Sequence, residues 1–265
     1  MLTLVATIGR MVLSTLSHIG GVFNLLMQTL FWMFVGPFIH KSASRKNIFE
    51  QMVLGGVNSL LIVFFVTFFT GIVLAMQSAY QLAQLGAEMY VASLVAVAMA
   101  REMGPVLTAL VVAGRVGAAI TAELGSMQVT EQIEALETQA LNPVRFLVVP
   151  RFLALIVMLP CLTILGDLAG MVGGYLIGVF NIGINSGMYM SITFKFLELK
   201  DIYTGLIKSV VFAMIIALIG CYMGLNTSGG AEGVGRSTTL SVVTSFILII
   251  LADCVLTGIF FFSQM

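Results

Sequence analysis

Ionisable residues stand in this chain inside otherwise apolar surroundings. Arg101 and Glu102 fall in AVAMAREMGPVL, Asp167 in TILGDLAG, Lys208 in LIKSVV and Asp253 in ILADCVL. An unpaired charge at the centre of a membrane helix costs at least ~2.5 kcal/mol on insertion scales, so such groups pair, line a wet cavity, or relay protons and ions. Covalent catalysis has weaker support. His18 and His40 are far apart in the N-terminal part without flanking ligands, and Cys161, Cys221 and Cys254 are each isolated in apolar runs without the paired spacing of a metal or redox site. The cysteines read as small core residues, and no metal is expected.

Residues 230–237 read GAEGVGRS. The spacing is that of a phosphate-binding loop, except that Arg236 stands where the lysine should be. Such a loop follows a strand and opens a soluble helix, whereas this segment joins two apolar runs. It is expected to be a connecting loop that turns the chain or contacts a partner. ATP hydrolysis, if it drives this protein, is expected on a separate subunit, with no cofactor in this chain.

The elements that must position the buried charges follow from composition. Of 265 residues, 59% are hydrophobic and 9% charged, far from the roughly 25% charged of a soluble domain. Twelve basic against twelve acidic residues leave a net charge of zero, which gives no footing for a nucleic-acid partner. Apolar runs long enough to cross ~30 Å of hydrocarbon recur, at about 52–80, 91–124, 151–180, 202–226 and 238–262. The fold class is therefore an all-α integral membrane protein with five transmembrane helices.

Arg10, Lys41, Arg45, Lys46, Arg145, Arg151 and Arg236 fall on one side of these spans, and Lys195 and Lys200 on the other. The positive-inside rule then puts the N-terminus in the cytoplasm and the C-terminus outside it. Counting 1.5 Å per residue, Arg101, Glu102, Lys208, Asp167 and Asp253 share an outer-half layer. Two readings stay open for this layer: structural ion pairing, with Glu102 and Lys208 as the favoured partners, or a wet cavity that receives or gates a lipid headgroup. Gly104-Pro105 is expected to kink span two beside it. Leu74, Leu82 and Met103 are candidates for the apolar wall. Arg115 and Glu123, two turns apart, are expected to pair with other helices.

Residues 1–47 read as an N-terminal interfacial helix, about 19–39, with a basic linker. The alternative is a sixth span. Asn24, Gln28 and Pro37 disfavour spanning, and the Lys41–Lys46 cluster suits a position beside headgroups.

Residues 101–151 read REMGPVLTALVVAGRVGAAITAELGSMQVTEQIEALETQALNPVRFLVVPR. Ala109, Ala113 and Gly117, and likewise Gly114, Ala118 and Ala122, recur about every four residues, which lets another helix approach closely. Over 130–141 the pattern changes to a short amphipathic helix. Ile133, Leu136, Ala140 and Leu141 form one face and Glu131, Glu134 and Glu137 the other, with Thr130 as the expected cap and Asn142-Pro143 as the stop. From spacing alone, the acidic flank is either a solvated face or a grip for a partner.

The Arg-Glu-x-Gly-Pro opening, Ala-Gly-Arg-x-Gly centre, Ala-Glu-x-Gly, Thr-Glu-Gln-Ile, Asn-Pro and Pro-Arg of this stretch resemble the MlaE (YrbE) permease family. IKSVVFA from Ile207 and GVGRSTTLSVV from Gly233 extend the likeness over about 50–262. The resemblance implies a permease domain over 48–265 in a bacterial inner membrane. It also implies a homodimer bound to two cytoplasmic ABC ATPase subunits that carry ATP and Mg, an MCE-domain periplasmic lipid-binding protein, and a small STAS-type cytoplasmic subunit. The 131–141 segment becomes a coupling helix, with Glu131, Ile133, Glu134, Leu136 and Glu137 at the ATPase, and the cargo a phospholipid-like membrane lipid. Alternatives are a sterol or other lipid as cargo, or an ion- or proton-coupled secondary transporter that uses the buried carboxylates.

Overall fold

Glycines decide how closely these helices pack. A computed structural model describes the backbone of residues 2–35 and 45–262 and the side chains of 16–35 and 46–262; Pro37, His40 and Lys41 lie outside the described residues. The described elements are helices. They are α1 (Leu2–Phe34), α2 (Arg45–Gly55), α3 (Leu60–Ala83), α4 (Val91–Ala98), α5 (Gly104–Val112), α6 (Ala118–Val129), α7 (Gln132–Thr138), α8 (Val149–Phe180), α9 (Ser186–Phe196), α10 (Leu199–Leu225) and α11 (Gly230–Phe262). Among the described residues, five continuous helical stretches are long and apolar enough to cross a bilayer: Lys46–Ala83, Glu88–Val129, Val144–Phe180, Leu199–Leu225 and Gly230–Phe262. They match the five runs read from the sequence, each extended at one or both ends.

The third, fourth and second stretches form the interior. Their most apolar windows are 61%, 56% and 50% buried, against 28% and 11% for the first and fifth. Along α3 and α8 the backbones nearly touch. A Cβ at Gly71 would strike the Gly170 backbone, and one at Gly173 would strike the Phe68 carbonyl. Without water to squeeze out, such backbone contact is a main source of cohesion between membrane helices. The small residues of the second span serve the same end within the chain. Ala109 and Ala113 are fully buried, Gly117 lies against Ile216, and Gly220 approaches the Gly117 carbonyl.

The second span is not one regular helix. Wide π turns at Met99–Met103 and Ala113–Gly117 separate α4, α5 and α6, and a third, Val144–Val148, precedes α8. The first stands where a kink is expected, immediately before Gly104-Pro105. Pro105 has no N–H to continue the regular ladder, and a π turn absorbs the mismatch by inserting one residue. Each such turn shifts every later side chain around the helix by about 100° relative to a regular helix.

Two local expectations are corrected. Residues 230–237 are the first turns of α11 rather than a connecting loop. The short amphipathic helix α7 covers Gln132–Thr138, not 130–141. Its N-cap is Glu131 in the left-handed conformation (φ 59°), and Thr130 does not cap it: the Thr130 hydroxyl donates back to the Ser126 carbonyl at 2.8 Å. Ala140, also left-handed (φ 58°), turns the chain away before Asn142.

α1 runs further back than the expected 19–39 and reaches Phe34. His18 Nδ1 meets the Tyr222 hydroxyl at 3.0 Å, and Arg145 stands over the Trp32 ring at 5.6 Å. Tyr222 is near the last turn of α10 and Arg145 at the start of the third span, so both contacts fall at the same end of the bundle.

Candidate functional site

Lys208, on the third turn of α10, is buried and brings its ammonium to three side-chain oxygens. Nζ donates to Glu102 Oε2 at 2.5 Å and to Thr257 Oγ1 at 2.7 Å, and Asp253 Oδ1 lies 2.8 Å away. Thr257 in turn donates to Glu102 Oε1 at 3.2 Å. The contact with Asp253 is an ion pair by distance without hydrogen-bond alignment, since that oxygen has no hydrogen-bond partner. One cation is therefore clamped by carboxylates from two other spans. Because Lys208 itself is buried, removing either carboxylate would leave a buried cation less well paired and cost stability.

Arg101, one residue before Glu102, turns the other way. Its Nε donates to Asp201 Oδ1, and Asp201 Oδ2 accepts from the Glu198 backbone N–H at 3.1 Å. Asp201 is buried and closes a capping box at the start of α10, so one carboxylate both starts the helix and holds the arginine. The Arg101 side chain remains 39% exposed and Glu102 33%. These residues, with Thr204, Lys208, Thr257, Phe260 and Phe261, line a cleft of about 70 Å³. Partly exposed charges at this depth cannot face hydrocarbon cheaply, so the cleft must meet water, another protein surface or a polar ligand.

Of the outer-half layer, the structure joins Glu102, Lys208 and Asp253 and sets Arg101 beside them. Asp167 is elsewhere. It is buried against Gly104, its Oδ1 has no hydrogen-bond partner, and it pairs with none of the layer's cations among the described residues. Leu74 and Leu82 do not wall the cleft. They pack with Ala75, Val91, Val95 and Met99 in a separate apolar cluster. Met103 is exposed and also off the lining. Asp201 and Thr257 were not legible as site residues. Asp201 had one signal, the Glu198-x-x-Asp201 spacing of a capping box.

Arg115 and Glu123 each reach another element, as their separation requires. Arg115 Nη1 donates to Ser59 Oγ at 2.7 Å, and Glu123 Oε1 lies 2.8 Å from Arg151 Nη2. On α7, Glu131, Glu134 and Glu137 are exposed, Ile133 is buried and Leu136 packs against the core.

Among the described residues, five candidate spanning helices, a charged cleft and a short helical arm between spans two and three define a polytopic membrane protein. The chain belongs to the MlaE permease family, whose model, described as permease MlaE, matches residues 48–259. A probable ABC transporter permease protein of Rickettsia prowazekii is 43% identical over 241 residues, covering 91% of this chain and 92% of the relative. One from Synechocystis sp. is 42% identical over 218 residues, 82% and 83% of the two chains. The intermembrane phospholipid transport system permease protein MlaE of Haemophilus influenzae is 38% identical over 234 residues, 87% and 90%. The chain is thus an ABC-type permease of this family.

Proposed function

We propose that this chain is the membrane-spanning subunit of an ATP-driven transporter that moves phospholipid between the inner and outer membranes and so maintains outer-membrane lipid asymmetry. The observation that carries the reading is the cleft at Arg101, Glu102 and Lys208, with charge left accessible at membrane depth. The phospholipid named for the Haemophilus relative supplies the cargo class. Two copies of the chain form the pathway, because five helices enclose too little space for a lipid and the accessible charges need a second protein wall or water.

Two cytoplasmic ABC ATPases bind ATP and Mg and push on α7 through Glu131, Ile133, Glu134, Leu136 and Glu137. An MCE-domain protein receives or delivers lipid on the periplasmic side, and a small STAS-type subunit attends the ATPases. The N-terminus is cytoplasmic and the C-terminus periplasmic in a bacterial inner membrane. Residues 1–47 form an interfacial segment beside the permease domain of 48–265. Its support is that, among the described residues, the α1 contacts of His18 with Tyr222 and of Trp32 with Arg145 fall at the same end of the bundle, although His18 and Trp32 are about 21 Å apart along the helix.

The test is reconstitution of the chain with its ATPase in vesicles carrying fluorescent phospholipid, with acceptor vesicles and the MCE-domain protein. ATP-dependent transfer that disappears when this chain is omitted supports the reading. Transfer of an ion, or ATP-dependent movement of a soluble solute but no lipid, refutes it.

A further inference from the structure

A second polar cleft opens at the end of the bundle that carries α7, away from the charged cleft described above. Its deeper part, about 330 Å³, is lined by Gln51, Asn58, Arg115, Glu123 and the apolar Leu54 and Ile120, among others. A neighbouring part of about 250 Å³ shares Gln51 and Glu123 and adds Glu50 and Arg151. Arg115 is eight residues further into the membrane than Glu123, about 12 Å along the helix.

Arg115 is half-buried and makes a single side-chain hydrogen bond, to Ser59. Among the described residues it has no ion pair, whereas Arg101 and Lys208 are each paired with carboxylates. A guanidinium has five donors in a planar fork that fits phosphate oxygens, so most of the hydrogen-bonding capacity of Arg115 is unspent at a depth where unspent capacity is costly. Arg151, on the lining of the neighbouring part, is a second cation beside the cleft. It is buried, ties Nη1 to the Leu147 carbonyl and Nη2 to Glu123, and still leaves Nε without a partner. The rest of the deeper part is graded as a lipid would require, with apolar Leu54 and Ile120 beside polar Asn58 and Gln51.

We propose that this cleft binds the phosphodiester headgroup of a phospholipid from the cytoplasmic leaflet, with the phosphate on Arg115. Glu123 and Gln51 face the substituent beyond the phosphate, and the acyl chains leave past Leu54 into the bilayer. The site rests on the lipid-transporter reading only in placing this end of the bundle at the cytoplasmic leaflet. It is distinct from the Glu102–Lys208 cleft and would serve as an entry or waiting position.

The experiment places a photoreactive amino acid at Asn58 in the intact transporter in nanodiscs containing radiolabelled phosphatidylethanolamine, without ATP. The control position is Val53, which is exposed on α2 but does not line the cleft. The expected result is phospholipid labelling at Asn58 above that at Val53. Arg115→Gln should remove the excess, and so should Ala119→Trp, which fills the cleft without changing a charge. Millimolar inorganic phosphate should leave it in place. Labelling at Asn58 equal to that at Val53, excess labelling that survives both substitutions, or crosslinks to protein instead of lipid would each overturn the proposal. Full displacement by inorganic phosphate would assign a free-anion site and overturn the lipid assignment. Because no transport is measured, failure here is separable from failure of the transport function.

Discussion

Lys208 Nζ lies 2.5 Å from Glu102 Oε2, an ion pair between α10 and the π turn of the second span, 106 residues apart in sequence. The turn that presents Glu102 also sends Arg101 to Asp201. Adjacent residues of opposite charge are thus committed to different points of one helix, α10, seven residues apart. The π turn is therefore fastened to α10 at two levels.

That double fastening makes Asp201 a structural support with a measurable share. Asp201→Ala removes the capping-box acceptor of the Glu198 N–H, a hydrogen bond worth about 1 kcal/mol, and strips the arginine of its anion. The melting temperature of the purified protein in detergent should fall, with a loss of about 2 kcal/mol or more. Asp201→Asn, which keeps one acceptor, should lose less. Equal melting temperatures for wild type and Asp201→Ala would show that neither contact matters.

Glycine substitutions should sort by what a Cβ meets. At Gly71 it would strike the Gly170 backbone, and at Gly104 it would strike Asp167, whereas Gly235 and Gly258 have nothing within 4 Å. Gly71→Ala and Gly104→Ala should reduce the yield of monodisperse protein in size-exclusion chromatography. Gly258→Ala should match wild type, since it improves helix propensity by about 1 kcal/mol at no steric cost. Equal yields across the set would contradict the close approach of α3 and α8.

On α7, the exposed acidic flank and the buried Ile133 separate coupling from folding. Glu131→Lys, Glu134→Lys and Glu137→Lys together change only exposed side chains, so expression and melting temperature should stay close to wild type. ATPase activity should stop responding to lipid, as measured in the reconstituted complex. A triple variant that co-purifies with the ATPase and transports normally would refute the coupling role.

Much of this arrangement was legible in the sequence, and what was not has a geometric cause. Rise per residue fixes depth, and the depths of Glu102 and Lys208 agree because the second and fourth spans run parallel and both residues lie near the outer, N-terminal ends. Azimuth is another matter. Asp167 has the right depth but faces Gly104, and Leu74 and Leu82 face the α4 cluster, because which side of a helix meets which neighbour depends on packing and on inserted π turns. Two such turns in the second span defeat a count based on 3.6 residues per turn. The α7 boundaries failed for a smaller reason. Thr130 has a capping residue type, yet left-handed Glu131 starts the helix one position later and leaves the threonine hydroxyl to the preceding carbonyl.

The most direct test of the central claim, that the charged cleft takes part in moving lipid, is phospholipid transport per folded transporter in Glu102→Lys, Lys208→Glu and the double variant. Each single variant places like charges together in a low-dielectric layer and should lower transport per folded molecule by about tenfold or more, equivalent to about 1.4 kcal/mol. The double variant should recover part of the loss. Full recovery is not expected, because Asp253 would then oppose the new glutamate at the position of Lys208. Normal transport per folded molecule in all three variants, with only the amount of folded protein reduced, would contradict the account and leave the Glu102–Lys208 pair a structural feature alone.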